Sequence, residues 1–210
     1  MIFIYTLQRD LFSGNCTNYI QGHFSSSKIY RKGVFIMMDI NSSLFRLIND
    51  LGFQIPALNP IFLFIAEYFL YSLIIVLIYY LFKDNGKHRM MVFAAVVSCL
   101  LAVILGKIAG QFHYNVQPFV TLDNVNQLID KEVNNSFPSD HTILSFTICM
   151  TLFLFDKRRW YFLLIGLLVG VSRVWVGVHY PFDVLTSIVL SIVAALIVSK
   201  VFKKFTAKQP

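Results

Sequence analysis

Residues 61–82 read IFLFIAEYFLYSLIIVLIYYLF, an unbroken apolar run whose one charged side chain is Glu67. A hydrocarbon core about 30 Å thick takes a helix of roughly 20 such residues to cross. In lipid only a backbone that satisfies its own hydrogen bonds is viable, so the run reads as a transmembrane helix. Four further runs, 90–106, 139–155, 160–178 and 184–202, have the same character. The fold class is therefore all-α, a polytopic membrane helical bundle with five predicted transmembrane helices, and the short connections favour antiparallel neighbours.

The composition agrees, since 57% of the 210 residues are hydrophobic, 21 are Phe and only 14% are charged. An ordinary soluble domain is far more polar. The net charge of +7 excludes little by itself, but a nucleic-acid binder would carry its cations on a polar surface. Here they lie between apolar runs: Lys83, Lys87 and Arg89; Lys157, Arg158 and Arg159; Lys200, Lys203, Lys204 and Lys208. By the positive-inside rule those three segments are cytoplasmic. Residues 107–140 and 179–183 then face outward, and 107–140 carries Asp123, Asp130, Glu132 and Asp140 against Lys107 and Lys131.

Two weaker elements complete the reading. In residues 41–51, Leu44, Leu47, Ile48 and Leu51 recur at helical spacing beside Arg46 and Asp50, as in an N-terminal interfacial helix. After Asp123, a suitable N-cap, Val125, Leu128, Ile129 and Val133 form an apolar stripe expected to be a helix lying flat over the outer end. Cys16, Cys99 and Cys149 have neither metal nor disulfide spacing and read as packing residues. Residues 1–36 have no signal-peptide pattern and no clear fold element, so they are expected to be a non-native or disordered extension before a single membrane domain at 37–210. Codons for Arg31-Lys32-Gly33-Val34 can contain AAAGGAG, a string like a bacterial ribosome-binding site, and the natural start is expected at Met37 or Met38.

Every chemically suggestive residue falls on the outer side. Phe137-Pro138-Ser139-Asp140-His141 leads straight into an apolar helix, where free N–H groups, the dipole and the Ser139 hydroxyl suit a phosphate oxygen. Alone, this segment reads first as an ordinary serine cap with an interfacial histidine. Ser172-Arg173 lies within another apolar helix, where a buried guanidinium costs about 2.5–3.5 kcal/mol on insertion scales and calls for a partner. A phosphate is one such partner and Glu67 is the structural alternative. His179 is followed four residues later by Asp183, close enough for the carboxylate to fix the imidazole tautomer and leave the other nitrogen as a nucleophile.

Phe-Pro-Ser-x-His at 137–141 and Ser-Arg-x5-His-x3-Asp at 172–183 together resemble the second and third signatures of the type 2 phosphatidic acid phosphatase superfamily. From about residue 40 to 205 the chain looks like the bacitracin-resistance-type undecaprenyl-diphosphate phosphatases, including Arg-Val-Trp-Val-Gly-Val-His-Tyr-Pro at 173–181. The resemblance implies hydrolysis of a polyprenyl diphosphate at the outer face of a bacterial plasma membrane through a phosphohistidine. His179 would be the nucleophile, Asp183 its orienting partner and His141 the acid and base. Arg173, Ser172, Ser139, Asp140 and Lys107 are the expected phosphate ligands. It implies no cofactor or metal, and neither nucleic acid nor a protein partner is expected. A phosphatase for phosphatidylglycerol phosphate, or a non-catalytic phosphate-lipid binder or transporter, are the alternatives.

The first signature departs from the family pattern Lys-x6-Arg-Pro. Lys107 stands ten residues before Gln117-Pro118, and Gln117 occupies the arginine position. Lys107 reads either as a flexible phosphate ligand or as a snorkelling lysine. His113, between the two, is the expected substitute cation; the alternative is that Gln117 donates an uncharged hydrogen bond and His113 merely faces water.

Overall fold

The computed structural model describes residues 39–83 and 86–206. The expected extension at 1–36 and the start at Met37 or Met38 lie outside the described residues.

Within the unit that begins at Asn41, residues 41–49 form α1 and Leu51–Gln54 form α2. The 3-10 turn Pro56–Leu58 leads into α3, Asn59–Phe82, with proline in its first turn where no N–H is needed. Then follow α4 (Gly86–Phe112), the short α5 (Pro118–Thr121), α6 (Asp140–Phe155), a 3-10 turn at Lys157–Arg159, α7 (Tyr161–Trp175) and α8 (Pro181–Thr206). Helices thus stand at all five predicted runs, and the described residues contain no strand, only an isolated bridge between Val116 and Asn135.

Three helices are long and apolar enough to cross a membrane, at Pro56–Phe82, Gly86–Phe112 and Pro181–Lys204. The 16-residue α6 and 15-residue α7 are shorter than the roughly 20 residues a full crossing takes. For α6 the packing gives the reason. Thr142, Ile143, Ser145, Phe146, Thr147, Ile148, Cys149, Thr151 and Leu152 are all buried, so other helices rather than lipid surround it.

Small residues let those helices close on one another, as they must where lipid tails are as apolar as leucine. α4 contributes Ala94, Ala95, Ser98, Ala102 and Gly106, and α8 contributes Ser187, Ser191, Ala194 and Ala195. A Cβ at Gly106 would stand 2.6 Å from Ile143 Cδ1. The Ser191 hydroxyl donates across to the Ile143 carbonyl at 3.0 Å, and the Ser139 N–H donates to Ser187 Oγ at 2.8 Å. On the outside, Ile74, Ile75, Ile78, Phe93, Leu100, Ile104, Val189 and Val193 are exposed, the surface a bilayer covers.

Chain direction puts Lys83, Lys87, Arg89, Lys157–Arg159, Lys203 and Lys204 at one end of the bundle. At that end Arg159 contacts Asp156 at 3.4 Å and lies over the Tyr80 ring, while Lys203 donates to the Leu154 carbonyl at 2.7 Å. The signature residues stand at the opposite end.

One expected element is absent. Residues 122–135 are not helical, although Val125, Leu128 and Ile129 do turn inward against Phe45, Trp175, Val176 and Val178. Their backbone is satisfied from outside. The buried Asn49 accepts from the Asn126 N–H at 2.9 Å and donates to the Asn126 and Trp175 carbonyls, and the Leu128 N–H donates to the Val176 carbonyl at 3.2 Å. An extended segment with external partners buries the same stripe without a helix, and Val133 stays exposed. α1 is where it was expected, but its inward residues are Phe45 and Asn49, while Leu44 and Leu47 face out.

Candidate active site

α7 ends at Trp175, and the chain reverses through Val176-Gly177-Val178 into α8. Gly177 has φ +83, a left-handed conformation that glycine adopts without strain, and a Cβ there would stand 2.8 Å from Val125 Cγ1. This tight reversal sets His179 beside the first turn of α8, which carries Asp183.

Asp183 is nearly fully buried and its carboxylate is almost saturated with donors. Asn115 Nδ2 donates to Oδ1 at 2.9 Å; Ser136 Oγ and the Tyr180 N–H donate to Oδ2 at 2.7 and 3.0 Å. His179 Nδ1 lies 3.8 Å from Oδ2, beyond hydrogen-bond reach. The imidazole is 2% exposed. Burial pushes its pKa down to about 4 against the pull of Asp183, with Lys131 and Arg173 adding to the depression, so the ring is neutral at physiological pH.

Arg173, in the last turn of α7, is 4% exposed and donates to the Ala66 carbonyl at 3.2 Å. Its Nε is buried without a partner among the described residues. Among the described residues no ion pair within 4.0 Å joins it to Glu67, although Glu67 lines the same cavity and its charge acts on the guanidinium. That cavity, about 400 Å³, is walled by Glu67, Tyr68, Tyr71, Ile129, Lys131, His141 and Arg173. Lys131 Nζ is 3.5 Å from His179 Nε2, which links the cavity to the buried histidine.

His141, Arg173, His179 and Asp183 are thus gathered at one place, and several other expected ligands are not. Lys107 is exposed on α4 and does not line the cavity. Gln117 is fully buried. Its Nε2 donates to Asn134 Oδ1 at 2.7 Å and to the Glu132 carbonyl at 3.2 Å, and its Oε1 accepts from the Asn134 N–H at 3.2 Å, so the amide is spent on a loop. His113, the expected substitute cation, is exposed and packs edge-on against Phe137 at 4.7 Å between centroids. Ser172 donates to the Val169 carbonyl of its own helix at 2.7 Å. Ser139 is buried, accepting from Thr142 Oγ1 at 3.1 Å, and Asp140 is exposed in the first turn of α6 without lining the cavity. Among the described residues no group of three or more His, Cys, Asp or Glu is placed to hold a metal.

Sequence reasoning missed Lys131, Asn115 and Ser136. The latter two come from the ends of the outer loop, joined by the Val116–Asn135 bridge and by the Ser136 N–H to the Asn115 carbonyl at 2.7 Å. Nothing in their spacing from Asp183 marks them. Lys131 was visible only as the second cation of an acidic loop.

A family model for the PAP2 superfamily matches residues 91–207. The chain belongs to the PAP2 superfamily. Over 161 residues this PAP2 protein is 49% identical to the bacitracin transport permease protein BcrC of Bacillus licheniformis, covering 76% of this chain and 79% of that one. Over 156 residues it is 33% identical to the undecaprenyl-diphosphatase BcrC of Bacillus subtilis (strain 168), covering 73% and 80%. Among solved structures it is similar to the crystal structure of Aquifex aeolicus LpxE, with a TM-score of 0.67, 30% identity, and 77% of this chain and 95% of that chain covered. The PAP2 match begins beyond α3, so the cavity wall of Glu67, Tyr68 and Tyr71 lies outside it.

Proposed function

We propose that this PAP2 protein hydrolyses undecaprenyl diphosphate to undecaprenyl phosphate and inorganic phosphate through a phosphohistidine on His179. The reading is carried by one observation: a neutral, buried imidazole with a carboxylate at 3.8 Å behind Nδ1 and with Nε2 directed toward a cavity that Arg173 and His141 line. It is supported by the diphosphatase named among its relatives.

In the first step the Nε2 lone pair attacks the terminal phosphorus. The bond from phosphorus to the bridging oxygen breaks, and His141 delivers a proton to that oxygen as undecaprenyl phosphate leaves. Phosphorylation makes the ring cationic, and Asp183 stabilises that charge. In the second step His141 takes a proton from water, the hydroxide attacks phosphorus, and the P–N bond breaks to return the lone pair to His179. Arg173 holds equatorial oxygens throughout, because phosphoryl transfer is catalysed mainly by positioning and charge stabilisation.

The apolar exterior and the three basic segments at the far end support five crossings by α3, α4, α6, α7 and α8, with the site facing outward from a bacterial plasma membrane. There the reaction would return carrier lipid for cell-wall synthesis and remove the lipid diphosphate that bacitracin sequesters. Phosphate release by purified protein in detergent, measured on undecaprenyl diphosphate and on phosphatidylglycerol phosphate, tests the reading. We expect the higher kcat/KM on the polyprenyl diphosphate. A preference for phosphatidylglycerol phosphate, or tight lipid binding without phosphate release, would overturn it.

A further inference from the structure

The loop carrying Lys131 is pinned on both sides. Upstream, Asn126 is bonded to Asn49 and the Leu128 N–H to the Val176 carbonyl. Downstream, the buried Gln117 amide holds Glu132 and Asn134 through three hydrogen bonds of 2.7–3.2 Å. Lys131 is therefore unlike a surface lysine whose long side chain wanders. Its ammonium is half-buried, lines the cavity with Arg173 and His141, and reaches His179 Nε2 at 3.5 Å.

An ammonium has only donors, so taken as a hydrogen bond this 3.5 Å contact sets Lys131 against the Nε2 lone pair. The ring proton then sits on Nδ1, the side that faces Asp183. The same contact blocks attack, since a lone pair engaged by Lys131 cannot also reach phosphorus. A non-bridging phosphoryl oxygen is anionic and a far stronger acceptor than imidazole. Arg173 and Lys131 are, moreover, the cations among the described residues that line the cavity.

We propose that Lys131 caps the His179 nucleophile in the free enzyme and transfers to a non-bridging oxygen of the terminal phosphoryl group when substrate enters, with Gln117 as the residue that positions it. This rests on the phosphohistidine reading and adds a phosphate ligand that the signature residues do not supply. Burial lowers the Lys131 pKa, and Arg173 nearby lowers it further against Asp140 and Asp183, as suits an ammonium about to receive an anion.

The test measures kcat, KM and inhibition by orthovanadate, a phosphoryl analogue, for wild type, K131M, K131R, Q117L, the Q117L/K131M double variant and H179A in detergent. Loss of one charge-assisted hydrogen bond predicts that K131M lowers kcat/KM and weakens vanadate by roughly ten- to a hundredfold. K131R should recover most of both losses. Q117L should lower kcat/KM in the Lys131 background and add little in K131M, a non-additivity that a purely structural role would not produce. If Q117L fails to fold, K131M and K131R still decide the role of Lys131. K131M within threefold of wild type with unchanged vanadate inhibition, while H179A is inactive, would overturn the proposal and leave the phosphohistidine reading standing. An active H179A would overturn both.

Discussion

Replacing Asp183 by Asn separates the carboxylate's two duties. As a structural anchor Asp183 accepts from Asn115, Ser136 and the Tyr180 N–H. An asparagine can turn its oxygen toward Ser136 and Tyr180, and Asn115 can turn its own amide to offer an acceptor to the new NH2. Stability should then fall by only about 1 kcal/mol, the net worth of one ordinary hydrogen bond. As an electrostatic partner it cannot be replaced. A unit charge 3.8 Å from the cationic phosphohistidine ring is worth about 4 kcal/mol at an effective dielectric of roughly 20. Allowing for the dipole that asparagine retains, kcat should fall by roughly two to three decades. Phosphate release, with the thermal midpoint and circular dichroism of the same detergent sample, makes the comparison. A folded D183N that turns over within tenfold of wild type would refute the argument and leave Asp183 as a loop anchor only.

Because the His179 pKa is held at about 4, its ring stays unprotonated at Nε2 well below the usual histidine range, and the nucleophile should not be lost near pH 6.5 in a kcat/KM profile. The same depression means the unfolded chain takes up a proton that the folded chain refuses. Stability should therefore fall as pH drops from about 6.5 toward 4, and the thermal midpoint of H179Q should show a flatter pH dependence there. Gly177→Ala meets Val125 Cγ1 at 2.8 Å and the Asn126 carbonyl at 2.9 Å with φ at +83, so it should cost about 2–3 kcal/mol and reduce turnover by shifting His179, read by thermal unfolding and phosphate release.

The helices were legible because each apolar run is long compared with its connections, and the two intact signatures led directly to His141, Arg173, His179 and Asp183. Legibility ended in the outer loop. The stripe of Val125, Leu128 and Ile129 has helical spacing, yet Asn49 and Val176 supply its backbone partners from 77 and 48 positions away in sequence, which no local period records. Gln117 stands at a position where the family pattern has a cation, and His113 is the nearest basic side chain in sequence. The lysine that lines the cavity is Lys131, 48 residues from the histidine it contacts and in a loop that Gln117 itself holds. The run at 139–155 did give its helix, Asp140–Phe155, while the polar and small residues that bury it among other helices are not marked by hydrophobic length.

The central claim is that a phosphoryl group passes through His179. Rapid quench of the enzyme with undecaprenyl diphosphate carrying a radiolabelled terminal phosphate, followed by alkaline digestion and peptide mapping, tests it most directly. The account predicts an acid-labile, base-stable label on the peptide containing His179, formed within one turnover and absent from H179A. Turnover with no trapped label at any quench time, or a label on a peptide without His179, would contradict it.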